Sequence, residues 1–75
     1  MTEWSIRSIK HWPDDTWDAL LIKGEGSSRS YNRVYSDDGF HWRNKYNAEP
    51  SAENQSMLTE AMGDMLDNDV TYVVF

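Results

Sequence analysis

The chain has 75 residues, no cysteine and a net charge of −6, with 13 Asp and Glu against seven Lys and Arg. That length holds one domain near the lower limit for a self-sufficient core, and without cysteine neither disulfides nor a thiolate metal site can brace it. Burial must carry the stability, and the tryptophans Trp4, Trp12, Trp17 and Trp42, with four tyrosines and two phenylalanines, supply much of the apolar area.

The first predicted element is a strand over 4–12, WSIRSIKHW, rich in β-branched and aromatic residues. PDDT (13–16) predicts a turn with Pro13 at its first central position. Closing a hairpin there would set Trp12 across from Trp17. WDALLIK (17–23) fits two states. As a strand it continues the hairpin. As a helix it has Asp14 or Asp15 for a cap, Trp17, Leu20 and Leu21 on one face, and Gly24 as a stop. Its shortness favours the strand. GEGSS (24–28) is the one loose segment.

YNRVYSDDGFHWRNKY (31–46) predicts a second hairpin, closed by Asp37-Asp38-Gly39 as a type I turn followed by a left-handed glycine. That register pairs Ser36 with Phe40, Val34 with Trp42 and Asn32 with Asn44, so Val34, Phe40 and Trp42 face the core. The opposite face, Tyr31, Arg33, Tyr35, His41, Arg43 and Lys45, is basic and aromatic. Arg33 opposite Arg43 is repulsive, so an anion is expected between them. Three sources fit: nucleic-acid phosphate with the aromatic rings stacking on bases, an acidic protein, or Glu3, Asp18 or Glu25 of a neighbouring strand.

PSAENQSMLTEAMGDMLDN (50–68) predicts a helix. Ser51 can cap it, Met57, Leu58, Ala61, Met62, Met65 and Leu66 form its apolar stripe, and Asn68 can end it in the left-handed conformation. VTYVVF (70–75) is apolar on both faces, which suits a central strand. The expected fold is α+β, one domain over 1–75. A small antiparallel sheet of four to five strands carries one main helix on one face. The order is β-β-β-β-α-β, or the ferredoxin-like β-α-β-β-α-β if 14–23 is helical.

Charge is divided unevenly along this order. Residues 1–45 hold all seven bases and seven acids, whereas 46–75 hold Glu49, Glu53, Glu60, Asp64, Asp67 and Asp69 and no base. At about 100° per residue, Glu53, Glu60, Asp64 and Asp67 fall within roughly 60° of each other, a ridge about 21 Å long on the helix exterior. Glu60 and Asp64 repel at i, i+4, and Asp64 and Asp67 sit at the helix end where the dipole favours bases. Acids that work against their own helix are candidates for meeting a basic surface elsewhere. Four carboxylates in about 21 Å is roughly half the charge density of a DNA strand, which suits a local decoy for a Lys/Arg cluster better than a duplex mimic.

Catalytic motifs are missing. GEGSSR lacks the third glycine of a dinucleotide fingerprint, no glycine loop ends in GK[ST], and there is no G-x-S-x-G. His11 and His41 lack metal-ligand spacing, and the Asp pairs lack the alternation of a calcium loop. No ribonucleoprotein-type aromatic motif occurs. The longest apolar runs, ALLI and YVVF, are too short to span a bilayer, and MTEWSIRSIK has no apolar leader core, so a cytoplasmic protein is expected.

A non-enzymatic protein-binding module is therefore expected, with no cofactor, metal or membrane. The ridge Glu53, Glu60, Asp64 and Asp67 would steer onto a partner's Lys/Arg, and Trp12 or Trp17 would anchor the contact. In size and acidity the chain resembles the small inhibitors that phages and mobile elements make against host nucleic-acid enzymes or defence systems, a likeness of class that rests on no motif. The resemblance implies occlusion of a basic, nucleic-acid-handling surface on a larger protein. The alternative is a small single-stranded nucleic-acid-binding module using Tyr31, Arg33, Tyr35, His41, Arg43 and Lys45. A third reading is a subunit whose helix stripe or last strand completes an oligomer.

Overall fold

The computed structural model describes residues 4–24 and 26–75. The order is β1 (Ser5–His11), β2 (Trp17–Lys23), a 3-10 turn (Gly26–Ser28), β3 (Ser30–Ser36), α1 (Ala52–Asp67) and β4 (Tyr72–Val74). All pairings are antiparallel, and the sheet runs β3-β2-β1-β4. It is an α+β fold with one helix on a four-stranded sheet. Residues 17–23 form a strand, which removes the ferredoxin-like order.

The first hairpin closes on local chemistry. The Asp15 amide donates to the Trp12 carbonyl (3.0 Å) and the Trp12 amide to the Thr16 carbonyl (2.8 Å), while Asp15 takes a left-handed φ of 69°. Asp14 locks the turn by accepting from the Thr16 amide (3.1 Å) and hydroxyl (2.6 Å), bonds that hold its carboxyl below the ordinary carboxylate range. The expected Trp12–Trp17 facing pair does not form. The three-residue turn pairs Trp17 with His11 instead, and the two rings stack with centroids 3.9 Å apart.

Alternation along β2 puts Trp17, Ala19 and Leu21 on the face that α1 covers. Ile9 of β1 and Val34 of β3 join them, and Leu58, Met62 and Met65 close the core from the helix. Ser51 caps α1 by accepting from the Asn54 amide (3.2 Å). At the other end Asn68 keeps φ near −100° and its side-chain amide donates to the Asp64 carbonyl (2.8 Å). The left-handed residue is Asp69, one position beyond the expected Asn68. Leu66, expected in the apolar stripe, is exposed because the stripe turns past it toward Met62 and Met65.

The predicted strand over 40–45 is absent, which is why the order is β-β-β-α-β. After β3 the chain makes a single bridge, Tyr35 with Arg43, in place of the Arg33–Arg43 register. The cause is Asp38. Its carboxylate accepts from the Phe40 (2.8 Å) and His41 (3.0 Å) amides and from the His41 ring (2.9 Å), taking donors that a ladder would have used. Phe40 is thereby turned out, 58% exposed, while Trp42 is fully buried with its indole N–H donating to the Gly39 carbonyl (3.1 Å). β4 lies at the sheet edge, paired to β1 alone, with Tyr72 and Val74 exposed; it is not the central strand its composition suggested. Among the described residues no helix is long and apolar enough to cross a membrane.

Candidate partner-binding surfaces

The amphipathic turn pattern that buries Leu58, Met62 and Met65 turns Glu53, Glu60, Asp64 and Asp67 outward, and all four are exposed. Among the described residues none of these carboxylates lies within ion-pair distance of a Lys or Arg. The basic side chains are differently placed. Arg33 pairs with Asp18 at 3.2 Å, Arg43 approaches Asp37 at 3.7 Å, and Arg7 donates to the Phe75 carbonyl at 2.7 Å. Lys10 stands over the Trp12 ring (3.9 Å), Lys45 over Tyr46 (5.1 Å) and Lys23 over Trp4 (5.7 Å). Among the described residues Arg29 has no such partner.

The anion expected beside Arg33 is thus supplied internally by Asp18; Glu3 and Glu25 lie outside the described residues. Asp18 also accepts the Trp12 indole N–H at 2.6 Å. This places Trp12, 41% exposed, on the sheet face away from α1. Trp17, the other expected anchor, is buried under α1 and stacked on His11, so a partner reaches Trp12 and not Trp17. The sheet stands between Trp12 and the helix layer, so the ridge and the tryptophan do not form one continuous patch.

The basic-aromatic group divides in two. Tyr31, Arg33 and Tyr35 of β3 meet Lys45 and Tyr46 around Leu20 in a cleft of about 450 Å³. Asn44 builds its outer wall by accepting from the Tyr46 (2.9 Å) and Ala48 (3.0 Å) amides through its side chain, forming a turn where a strand was predicted. His41 and Arg43 belong elsewhere, with Asp38 and Asp37. The His41 ring and the two captured amides hold the Asp38 carboxyl far below the ordinary carboxylate range.

A second cleft, about 600 Å³, was not foreseen. Ile6, Ile22, Met57, Ala61 and Phe75 line it, with Arg7, Glu60 and Asp64 among the residues at its walls. The signal lay in the helix sequence: Met57, Glu60, Ala61 and Asp64 follow at i, i+3, i+4 and i+7, one stripe with an apolar and an acidic flank. Its sheet wall depends on the β-bulge between Ile6 and Ser8, which alternation alone does not reveal. The chain matches no protein-family model, no curated protein and no solved structure.

Proposed function

We propose that the protein is a non-enzymatic binding module that occupies a basic surface on a larger protein, acting as an inhibitor or regulator in the manner of phage-type anti-host or anti-defence proteins. Glu53, Glu60, Asp64 and Asp67 are the contact carboxylates, and the partner's exposed surface is one that otherwise handles nucleic acid. The observation that carries this reading is the contrast in how charge is used. Most bases are engaged within the chain, whereas the helix acids point outward with no basic partner among the described residues. Charge left unmatched on one flank speeds encounter with an oppositely charged surface and selects against like-charged ones.

The test is affinity capture from nuclease-treated lysate in the cytoplasmic setting expected for the chain, followed by identification of what is retained. A protein held by the native chain and released from a variant with all four ridge acids changed to Gln supports the reading. Equal retention by both removes it.

A second reading rests on the cleft of Tyr31, Arg33, Tyr35, Lys45 and Tyr46, which combines rings that stack on bases with two cations. It requires single-stranded oligonucleotide binding that falls steeply with salt. The net charge of −6 opposes it.

A further inference from the structure

Glu60 and Asp64 do more than stand on an exposed flank: they border the apolar cleft between α1, β1, β2 and Phe75. Its floor is aliphatic and aromatic, Ile6, Ile22, Met57, Ala61 and Phe75, and its volume of about 600 Å³ has room for a large side chain and its neighbours. On the sheet side Arg7 is drawn to the Phe75 carbonyl (2.7 Å). Arg7 stays cationic in that bond, so the mouth carries one guanidinium on the sheet side and two carboxylates on the helix side, a net negative charge with the acids together on α1. We propose that this cleft receives one large apolar side chain from a basic protein segment, with the flanking Lys or Arg of that segment held by Glu60 and Asp64. The inference rests on the reading of the ridge as a protein-binding surface and adds to it a specific seat.

The complementarity is geometric as well as electrostatic. Met57 and Ala61 are one helical turn apart, as are Glu60 and Asp64, and the two pairs are adjacent on the helix surface. A side chain seated against Met57 and Ala61 therefore brings its sequence neighbours beside the two carboxylates. Apolar contact supplies the affinity and charge sets the register, a division usual at protein interfaces. A uniformly basic surface would use the acids and leave the cleft empty, so the two modes separate by experiment.

The probes are two pentapeptides of four lysines around a central leucine or a central serine, titrated into the full chain at low salt. The expected result is leucine-peptide binding about tenfold tighter than serine-peptide binding, the order expected for burying one aliphatic side chain. Ala61→Leu, which fills the cleft from the helix, should erase that preference and leave the serine peptide unaffected. Ala61→Met fills it with an unbranched side chain and serves the same purpose if Ala61→Leu does not fold. Equal affinity of the two peptides for the native chain overturns the seat while leaving the ridge reading intact. No binding of either peptide overturns both. A dimer in sedimentation that Ala61→Leu dissociates would assign the cleft to a second copy of the chain and also overturn the proposal.

Discussion

Arg33 on the edge strand β3 reaches diagonally across the ladder to Asp18 on β2, and the same carboxylate accepts the Trp12 indole N–H. Asp18 thereby ties the first turn to the third strand across the open face of the sheet. Its side chain is only 13% exposed, so its partners lose a bond that water replaces incompletely. Asp18→Ala should lower stability by about 1–2 kcal/mol in urea unfolding. It should also red-shift the tryptophan emission as Trp12 swings into solvent. An unchanged midpoint would show that Asp18 is a solvated surface acid.

Acid should weaken the loop after β3. Asp38 has a depressed carboxyl because the His41 ring, then the Phe40 and His41 amides, donate to it. A group whose folded pKa lies below its unfolded value stabilises the fold above the ordinary value of 3.8, and that contribution is lost as pH falls through the folded value. Asp14, depressed by the Thr16 hydroxyl and amide, acts with the same sign. Asp38→Asn should therefore reduce the pH dependence of stability below about pH 4. Identical acid-unfolding profiles for the native chain and the variant would contradict this assignment.

Gly39 is required by backbone and space together. Its φ is +83°, and a Cβ there would lie 2.8 Å from the Met62 Cε. Its carbonyl also accepts from the Trp42 indole and the Thr59 hydroxyl, both at 3.1 Å. Gly39→Ala should cost about 1–2 kcal/mol, from the left-handed conformation and the displacement of Met62. Trp42→Ala, which empties the centre of the core, should cost about 3–5 kcal/mol, enough to unfold much of a chain this small. Circular dichroism in denaturant reads both, and a wild-type midpoint for either variant would contradict the packing described.

The acids of α1 should work against the helix that carries them. Removing the Glu60–Asp64 repulsion and the two carboxylates near the C-terminal turn, by Glu60→Gln, Asp64→Gln and Asp67→Gln together, should raise stability by about 1–2 kcal/mol. For a domain of this size that is a rise in Tm of several degrees, on the order of 4–8 °C per kcal/mol. A fall in Tm would show that these carboxylates support the fold.

What could be read from the sequence follows the reach of the forces involved. The helix was legible because its cap, Ser51, and its stripe, Leu58, Met62 and Met65, are local and periodic. β1 and β3 were legible from composition and PDDT marked the first turn, whereas 17–23 fitted a helix as well and only its shortness favoured the strand. The strand after Gly39 was misread because a side chain competes with the ladder: Asp38 takes the Phe40 and His41 amides, and nothing in the alternation of residues reports that competition. Val34 and Trp42 reach the core as expected, but along a different backbone path. The edge position of β4 was hidden because its apolar composition is the same whether Tyr72 and Val74 are covered or exposed. At the candidate site, exposure of the ridge was implicit in the helical period, whereas the cleft beside it depends on β1, β2 and Phe75 meeting in space.

The most direct measurement is a residue-resolved NMR titration of the labelled chain with tetralysine at low salt, a minimal stand-in for a basic surface. Amide shifts should concentrate over residues 53–67 and be lost when Glu53, Glu60, Asp64 and Asp67 become Gln. Shifts centred on Asp14 and Asp15 or on Asp37 and Asp38, or spread evenly over all acidic residues, would contradict it.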